Sequence, residues 1–111
     1  MSKEEILTEL DIISKKYEND RDPGWGNQML LNRTKELIIK DRPGVVEALR
    51  HWLRLREEGA TITAVNLIAD INIPELKPEL ECLRKEIESR KIFLPDYVYW
   101  VDRALKAINE M

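Results

Sequence analysis

The chain holds a single cysteine and a single histidine, and those two scarcities exclude most of the metal and disulfide chemistry open to a small protein. Cys82 alone closes no internal disulfide and supplies no multi-cysteine metal set. His51 has Glu47 one turn before it and Leu55 one turn after it, short of the three or four converging ligands that zinc needs. Asp20, Asp22 and Asp70 do not follow the spacing of a calcium loop. Pro23-Gly24-Trp25-Gly26 lacks the following Lys-Ser/Thr and the preceding strand of a phosphate cradle. No Asn-Gly or Asp-Gly turn joins alternating runs, so no β-hairpin signal is present. No window approaches the roughly 18 apolar residues of a membrane span, and MSKEEILTEL carries no signal-peptide run. A cytoplasmic protein with no membrane contact is the expectation. A basic excess is missing as well. Eighteen Lys and Arg stand interspersed with 21 Asp and Glu, for a net charge of −3, whereas nucleic-acid binders usually show a basic stripe.

What is present is 43% apolar and 35% charged residues, a mixture that marks amphipathic helices in a packed domain. Its length fits one domain. Ser2 and Glu5 form a capping-box pattern, and Ile6, Leu7, Leu10, Ile13 and Tyr17 recur at helical spacing, which predicts a first helix over about 3–19. The run Asn19–Asn27 reads as a loop, with Trp25 pressed inward as an anchor and Asn27 capping the next helix. A hairpin over 28–58 follows. Its first helix turns Leu30, Leu31, Thr34, Leu37 and Ile38 inward, and Pro43 sits in the first turn of the second. That second helix is apolar over more than half its circumference (Val45, Val46, Ala48, Leu49, Trp52, Leu53, Leu55), the pattern of a helix covered on two sides. Gly59 is placed as its left-handed stop. A second hairpin over 61–91 has Thr61 or Thr63 as cap and prolines 74 and 78 at the start of its second helix. There Leu76, Leu80, Leu83 and Ile87 point inward, Cys82 is taken as a small buried thiol, and Glu79, Glu81, Glu86 and Glu88 face water. A closing helix over 95–110 presents Val98, Val101, Ala104, Leu105 and Ile108 inward.

Val46-Glu47-Ala48-Leu49-Arg50 returns 34 residues later as Leu80-Glu81-Cys82-Leu83-Arg84, and Leu53 then answers to Ile87. A period in the thirties, made of two helices with proline at the second one's start, is a solenoid signature. From Ala64 through Pro74-Glu75-Leu76-Lys77-Pro78 to Leu80 and Leu83 the chain resembles the HEAT-like helical repeats, over about residues 28–91. The first copy fits less well, and the Asp and Arg that such repeats carry at set positions are not both placed. The resemblance implies an all-α fold, a six-helix right-handed stack of antiparallel helical hairpins of the α–α superhelix kind, and it implies scaffolding or partner binding.

No group of residues reads as catalytic and no cofactor is indicated, so the expected function is a non-catalytic protein–protein interaction module or small scaffold. Tyr97, Tyr99 and Trp100 are candidate contact residues because Tyr and Trp are enriched at interface hot spots, and Glu79 and Glu86 are acidic candidates on the neighbouring helix. The partner would be another protein, or a second copy in a homodimer. One alternative is a helix-turn-helix-like DNA-binding protein using residues 64–90, with Ile73 buried at the turn. Glu75, Glu79 and Glu81 would then meet phosphates, which weighs against nucleic acid. Another alternative is an inhibitor or immunity-type protein whose glutamates plug a basic cleft.

Overall fold

A computed structural model describes residues 3–16, 23–93 and 95–109. The described chain is all-helical, with six α-helices and no strand among those residues. The helices are α1 (Lys3–Lys16), α2 (Pro23–Lys40), α3 (Arg42–Arg54), α4 (Glu58–Ile71), α5 (Lys77–Glu88) and α6 (Val98–Asn109). Single 3₁₀ turns at Pro74–Leu76 and Pro95–Tyr97 lead into α5 and α6. The capping role of Ser2, the inward placing of Tyr17, the end of the first helix at Asn19 and the connector residue Leu94 lie outside the described residues. The chain divides into two compact units, Met1–Ala48 and Leu49–Met111, and the division falls within α3.

In the first unit α1 and α2 pack together through Ile6, Leu10, Leu30 and Leu37, all buried, with Val45, Val46 and Ala48 of α3 buried as well. Thr34 is also fully buried, which its hydroxyl tolerates by donating back to Leu30 O at 2.8 Å. Arg33 bridges the two helices by donating to Glu9, and a second bond runs to Glu36 at 2.8 Å. Both bonds raise the pKa of the guanidinium above its ordinary value, the Glu9 bond most. Asp41 caps α3, because its Oδ1 accepts the Gly44 N–H at 3.1 Å and satisfies one of the orphan donors of the first turn. A Cβ at Gly44 would lie 2.8 Å from Ile6 Cδ1 and 2.9 Å from Asp41 Cγ. A side chain there would have to push aside the ends of both residues, the capping Asp41 carboxylate included.

The second unit is built around α6, which packs against both α4 and α5. Val101, Ala104 and Ile108 of α6 are buried, as are Ala64, Val65, Leu67 and Ile68 of α4 and Leu80, Leu83 and Ile87 of α5. Leu49, Trp52 and Leu53 at the end of α3 are buried too, Trp52 at 7% exposure. At roughly 1.5–3 kcal/mol for each fully buried large aliphatic side chain, these positions supply most of the force that holds the helices together.

Several local expectations are corrected. The helix that was to start at residue 28 begins at Pro23, so Asn27 is not its cap and Trp25 lies on helical backbone; the expected anchoring concerns a side chain outside the described set. Pro23 occupies the first helical position, where its fixed φ suits the helix. Gly24 falls in the first turn, where its N–H group owes no bond to a preceding turn. Helix α3 stops at Arg54, four residues early, and Gly59 does not end it. The left-handed residue is Arg56, with φ 53°. That conformation costs a non-glycine residue roughly 1 kcal/mol, offset by bonds from the Arg56 guanidinium to Leu53 O at 2.8 Å and to Glu86.

Gly59 lies instead in the first turn of α4, whose N-cap is Glu57. Thr61 and Thr63 are therefore not caps of α4. Thr63 donates back to Gly59 O at 2.7 Å, and Thr61, fully buried, donates to Trp52 O at 2.9 Å. Leu55, beyond the end of α3, is 47% exposed because the helical periodicity that would have turned it inward has ceased. Cys82 is exposed, not buried. It stands two residues, about 200°, from Leu80 and so faces away from the Leu80–Leu83–Ile87 stripe. Its counterpart under the 34-residue offset, Ala48, is fully buried. Helix α5 ends at Glu88, short of Lys91, in a left-handed turn at Arg90 (φ 61°) with Arg90 N–H bonded to Ile87 O and Lys91 N–H to Glu86 O, both at 3.0 Å. That pair of bonds is a Schellman motif.

Candidate protein-contact site

On the outer side of α6 the packing of the second unit leaves side chains uncovered. Residues 101, 104 and 108 define the inward stripe of that helix, and at about 100° per residue Tyr99, Asp102, Arg103 and Lys106 cluster on the opposite side. Tyr99 is 67% exposed and Trp100 36%, and their rings meet edge to face with centroids 5.4 Å apart. Aromatic rings so placed gain roughly 1 kcal/mol from each other beyond area burial.

Both flanks of α6 are fastened. On the α5 side, Arg84 Nε donates to Asp102 Oδ1 at 2.6 Å, and Arg84 also pairs with Glu88 at 3.1 Å. The hydrogen bond to Asp102, with the negative charges of Asp102 and Glu88, holds the Arg84 pKa above its ordinary value. On the α4 side, Arg103 pairs with Asp70 at 2.5 Å, and Asn72 Nδ2 donates to Ala107 O at 3.0 Å. Asn72 itself is left-handed (φ 70°), a conformation asparagine adopts more readily than most residues, and its own N–H closes α4 on Ile68 O. Between α5 and α6 runs an open groove of about 660 Å³, walled by Glu81, Arg84 and Lys85 on one side and Asp102, Leu105 and Lys106 on the other.

The sequence-predicted contact residues divide into two groups. Tyr99 is on the outer face, and Trp100, one turn before the buried Ala104, stands on the flank beside it. Tyr97 is not with them. It is half-buried in the 3₁₀ turn before α6, where its hydroxyl donates to Glu58 at the start of α4 and its ring meets Phe93 edge to face at 5.7 Å. The bond to the Glu58 carboxylate, with burial and the negative charge adding to it, holds the Tyr97 pKa above that of a free tyrosine.

Glu79 and Glu86 were expected on a solvated face and are half-buried instead. Glu79 takes Arg54 Nη2 at 2.9 Å and Arg50 Nε at 3.3 Å, with its side chain 18% exposed. Glu86 takes the Arg56 guanidinium. Both carboxylates tie the end of α3 to α5 and are occupied by that work.

Sequence reasoning missed Asp102, Arg103 and Lys106. Their one available signal was position on α6 opposite the apolar stripe. His51 is exposed, and no group of three or more His, Cys, Asp or Glu side chains converges among the described residues. No described helix is long and apolar enough to cross a membrane. No family model, no curated protein and no solved structure matches the chain.

Proposed function

We propose that this chain is a non-catalytic protein-binding module whose contact face is the outer side of α6, with Tyr99 at its centre and Trp100 at its edge. The observation that carries the reading is the exposed, edge-to-face aromatic pair on a helix pinned along both flanks. Large rings whose positions are already set lose little entropy on binding, which is why such residues dominate interface energetics. The helical repeat resemblance supports the same reading, since stacked helical hairpins serve as extended binding surfaces. A HEAT-like right-handed stack is part of the proposal.

The test is quantitative capture with the intact chain as bait against a Tyr99→Ala/Trp100→Ala variant of unchanged helicity. A hot-spot pair costs about 2 kcal/mol or more per residue, so the variant is expected to lose over roughly 95% of the specific signal. Equal retention of the same proteins by both baits would remove α6 from the reading.

One observation favours the DNA-binding alternative: Ile73 is fully buried at the α4–α5 turn, as a helix-turn-helix requires. Against it, the outward residues at the start of α5 include Glu75 and Glu81. Passage through heparin at low salt without retention is the expected result, since phosphate-binding surfaces are held there electrostatically. The inhibitor-type alternative loses Glu79 and Glu86, which already serve arginines of the same chain.

A further inference from the structure

We infer that the repeating unit of this chain is the helix pair α3–α4, answered by α5–α6, and that α5–α6 opens from the end of the stack as one body. The inference rests on the stacked-hairpin part of the reading above. It replaces the register expected from sequence, in which 28–58 and 61–91 were the two copies.

The offset of 34 residues that relates Val46–Arg50 to Leu80–Arg84 extends to the backbone. Helix α3 ends at Arg54 and α5 at Glu88, at that same offset. Two residues beyond each end stands a left-handed arginine, Arg56 (φ 53°) and Arg90 (φ 61°). The closing bonds correspond as well. Leu55 N–H donates to His51 O at 3.1 Å and Ser89 N–H to Lys85 O at 3.0 Å, while Arg56 N–H reaches Leu53 O at 3.3 Å and Arg90 N–H reaches Ile87 O at 3.0 Å. Left-handed backbone is uncommon outside glycine, asparagine and aspartate, so two arginines adopting it at one offset mark the same turn built twice. Both helices also open on a cation and a proline, Arg42-Pro43 and Lys77-Pro78. Val46, Leu49 and Leu53 are buried, and so are Leu80, Leu83 and Ile87. The match ends on the other side of α3, where Val45, Ala48 and Trp52 are buried and their counterparts Glu79, Cys82 and Glu86 are not.

Contacts within the second unit follow the same pairing. Bonds from the end of α3 to α5 climb both helices together, Arg54 to Glu79 and Arg56 to Glu86. Those between α4 and α6 also climb together, from Glu58–Tyr97 through Asp70–Arg103 to Asn72–Ala107. Corresponding helices therefore run the same way, α5 beside the end of α3 and α6 beside α4, as successive units of a solenoid do. Helix α6 packs closely on α5, whereas α4 and α5, consecutive in the chain, have little contact.

In such a stack each unit meets only its neighbours, and a terminal unit can leave while the rest stays folded. The pair α5–α6 is held within itself by its apolar stripes and by the Arg84–Asp102 bond. Its ties to α3 and α4 include ion pairs partly open to water, which stabilise only a little each. Leaving also exposes the apolar contact of α6 with α4, so the open form is a minor one.

Native-state hydrogen exchange of the intact chain across low denaturant, read residue by residue by NMR, tests this. Amides of Leu83 and Ile87 in α5 and of Ala104 and Ile108 in α6 are expected to share one opening free energy and one denaturant slope. Protection of Val65, Leu67 and Ile68 in α4 should be at least about tenfold higher. Arg54 touches α5 and not α6, and its side chain is 65% exposed. Arg54→Ala, with helicity unchanged, is therefore expected to lower protection in α6 by the same factor as in α5, about two- to fivefold. Exchange of α5 together with α4, opening of α6 ahead of α5, or a loss of protection in α5 that α6 does not share would each overturn the pairing. Capture by the Tyr99→Ala/Trp100→Ala bait does not depend on that outcome, so the contact face stands or falls separately.

Discussion

Replacing Thr61 by Val tests whether the end of α3 is held the way the structure indicates. Helix α3 stops at Arg54, so the carbonyls of its last turn lose their i+4 donors. Arg56 N–H, the natural donor to Trp52 O, bonds to Leu53 O at 3.3 Å instead, because Arg56 has turned left-handed. Trp52 O is taken by the Thr61 hydroxyl at 2.9 Å, from the first turns of α4, in a fully buried setting.

Val matches Thr in shape, β-branching and approximate helix propensity, so the substitution removes the hydroxyl and little else. A buried carbonyl left without a partner costs about 1–3 kcal/mol. Partial recovery is expected from the apolar methyl that replaces the hydroxyl, so a net loss of about 1–2 kcal/mol follows. At roughly 4 °C per kcal/mol for a chain of this length, the thermal midpoint should fall by about 4–8 °C in circular dichroism melts, with a parallel drop in urea midpoint and unchanged slope. Thr61→Ser keeps the hydroxyl and gives up one methyl, about 1 kcal/mol. It should be no worse than Thr61→Val. A Val variant as stable as the parent, or a Ser variant clearly below it, would refute the account of how α3 is terminated.

Three further outcomes follow from other parts of the chain. Gly44→Ala should destabilise by about 1 kcal/mol or more in urea melts, although alanine is the better helix former by a similar amount, because its Cβ displaces the Asp41 cap and presses on Ile6; a gain in stability would contradict the packing at that site. Tyr97 should ionise above the ordinary tyrosine value of 10.0 in an ultraviolet titration, and Glu58→Gln should move it back toward that value. The unfolded chain releases this proton first, so the bond contributes fully below pH 10 and its contribution is lost as pH rises through the folded value. Cys82, exposed on α5, should react with a thiol reagent in the native protein within about tenfold of the rate in denaturant; protection of many orders of magnitude would place it back in the core.

The helices and their inward stripes were legible because periodicity alone decides them. Leu80, Leu83 and Ile87 on α5, and Val101, Ala104 and Ile108 on α6, are buried where a 3.6-residue repeat puts them. Helix ends were poorly legible, and the reason is physical. Glycine is the usual sign of a left-handed stop, yet the described left-handed residues are Arg56, Asn72, Arg90 and Phe93, and no described glycine has positive φ. Arg56 takes that conformation because its side chain reaches Leu53 O and Glu86, thirty residues away, which no local pattern encodes. Cys82 failed for a different reason: its burial was inferred from the sequence offset to Ala48, and identical offsets do not guarantee identical rotation about the helix axis.

The proposed contact face shows why site residues are harder to read than core residues. An apolar stripe announces itself, because burial selects one residue class at a fixed spacing. An outer face admits any polar residue, so Glu79, Glu86, Asp102 and Arg103 look alike in sequence. What separates them is whether a neighbouring element consumes them. Glu79 stands between Arg50 and Arg54, and its side chain is only 18% exposed. Asp102 and Arg103 each spend one bond sideways and remain 47% and 39% exposed. A charge fully enclosed by partners of its own chain has little left to offer another molecule, whereas one held in place by a single lateral bond is both oriented and available. By that criterion the acidic side of α5 braces α3, whereas the charges on the outer side of α6 are held but not enclosed.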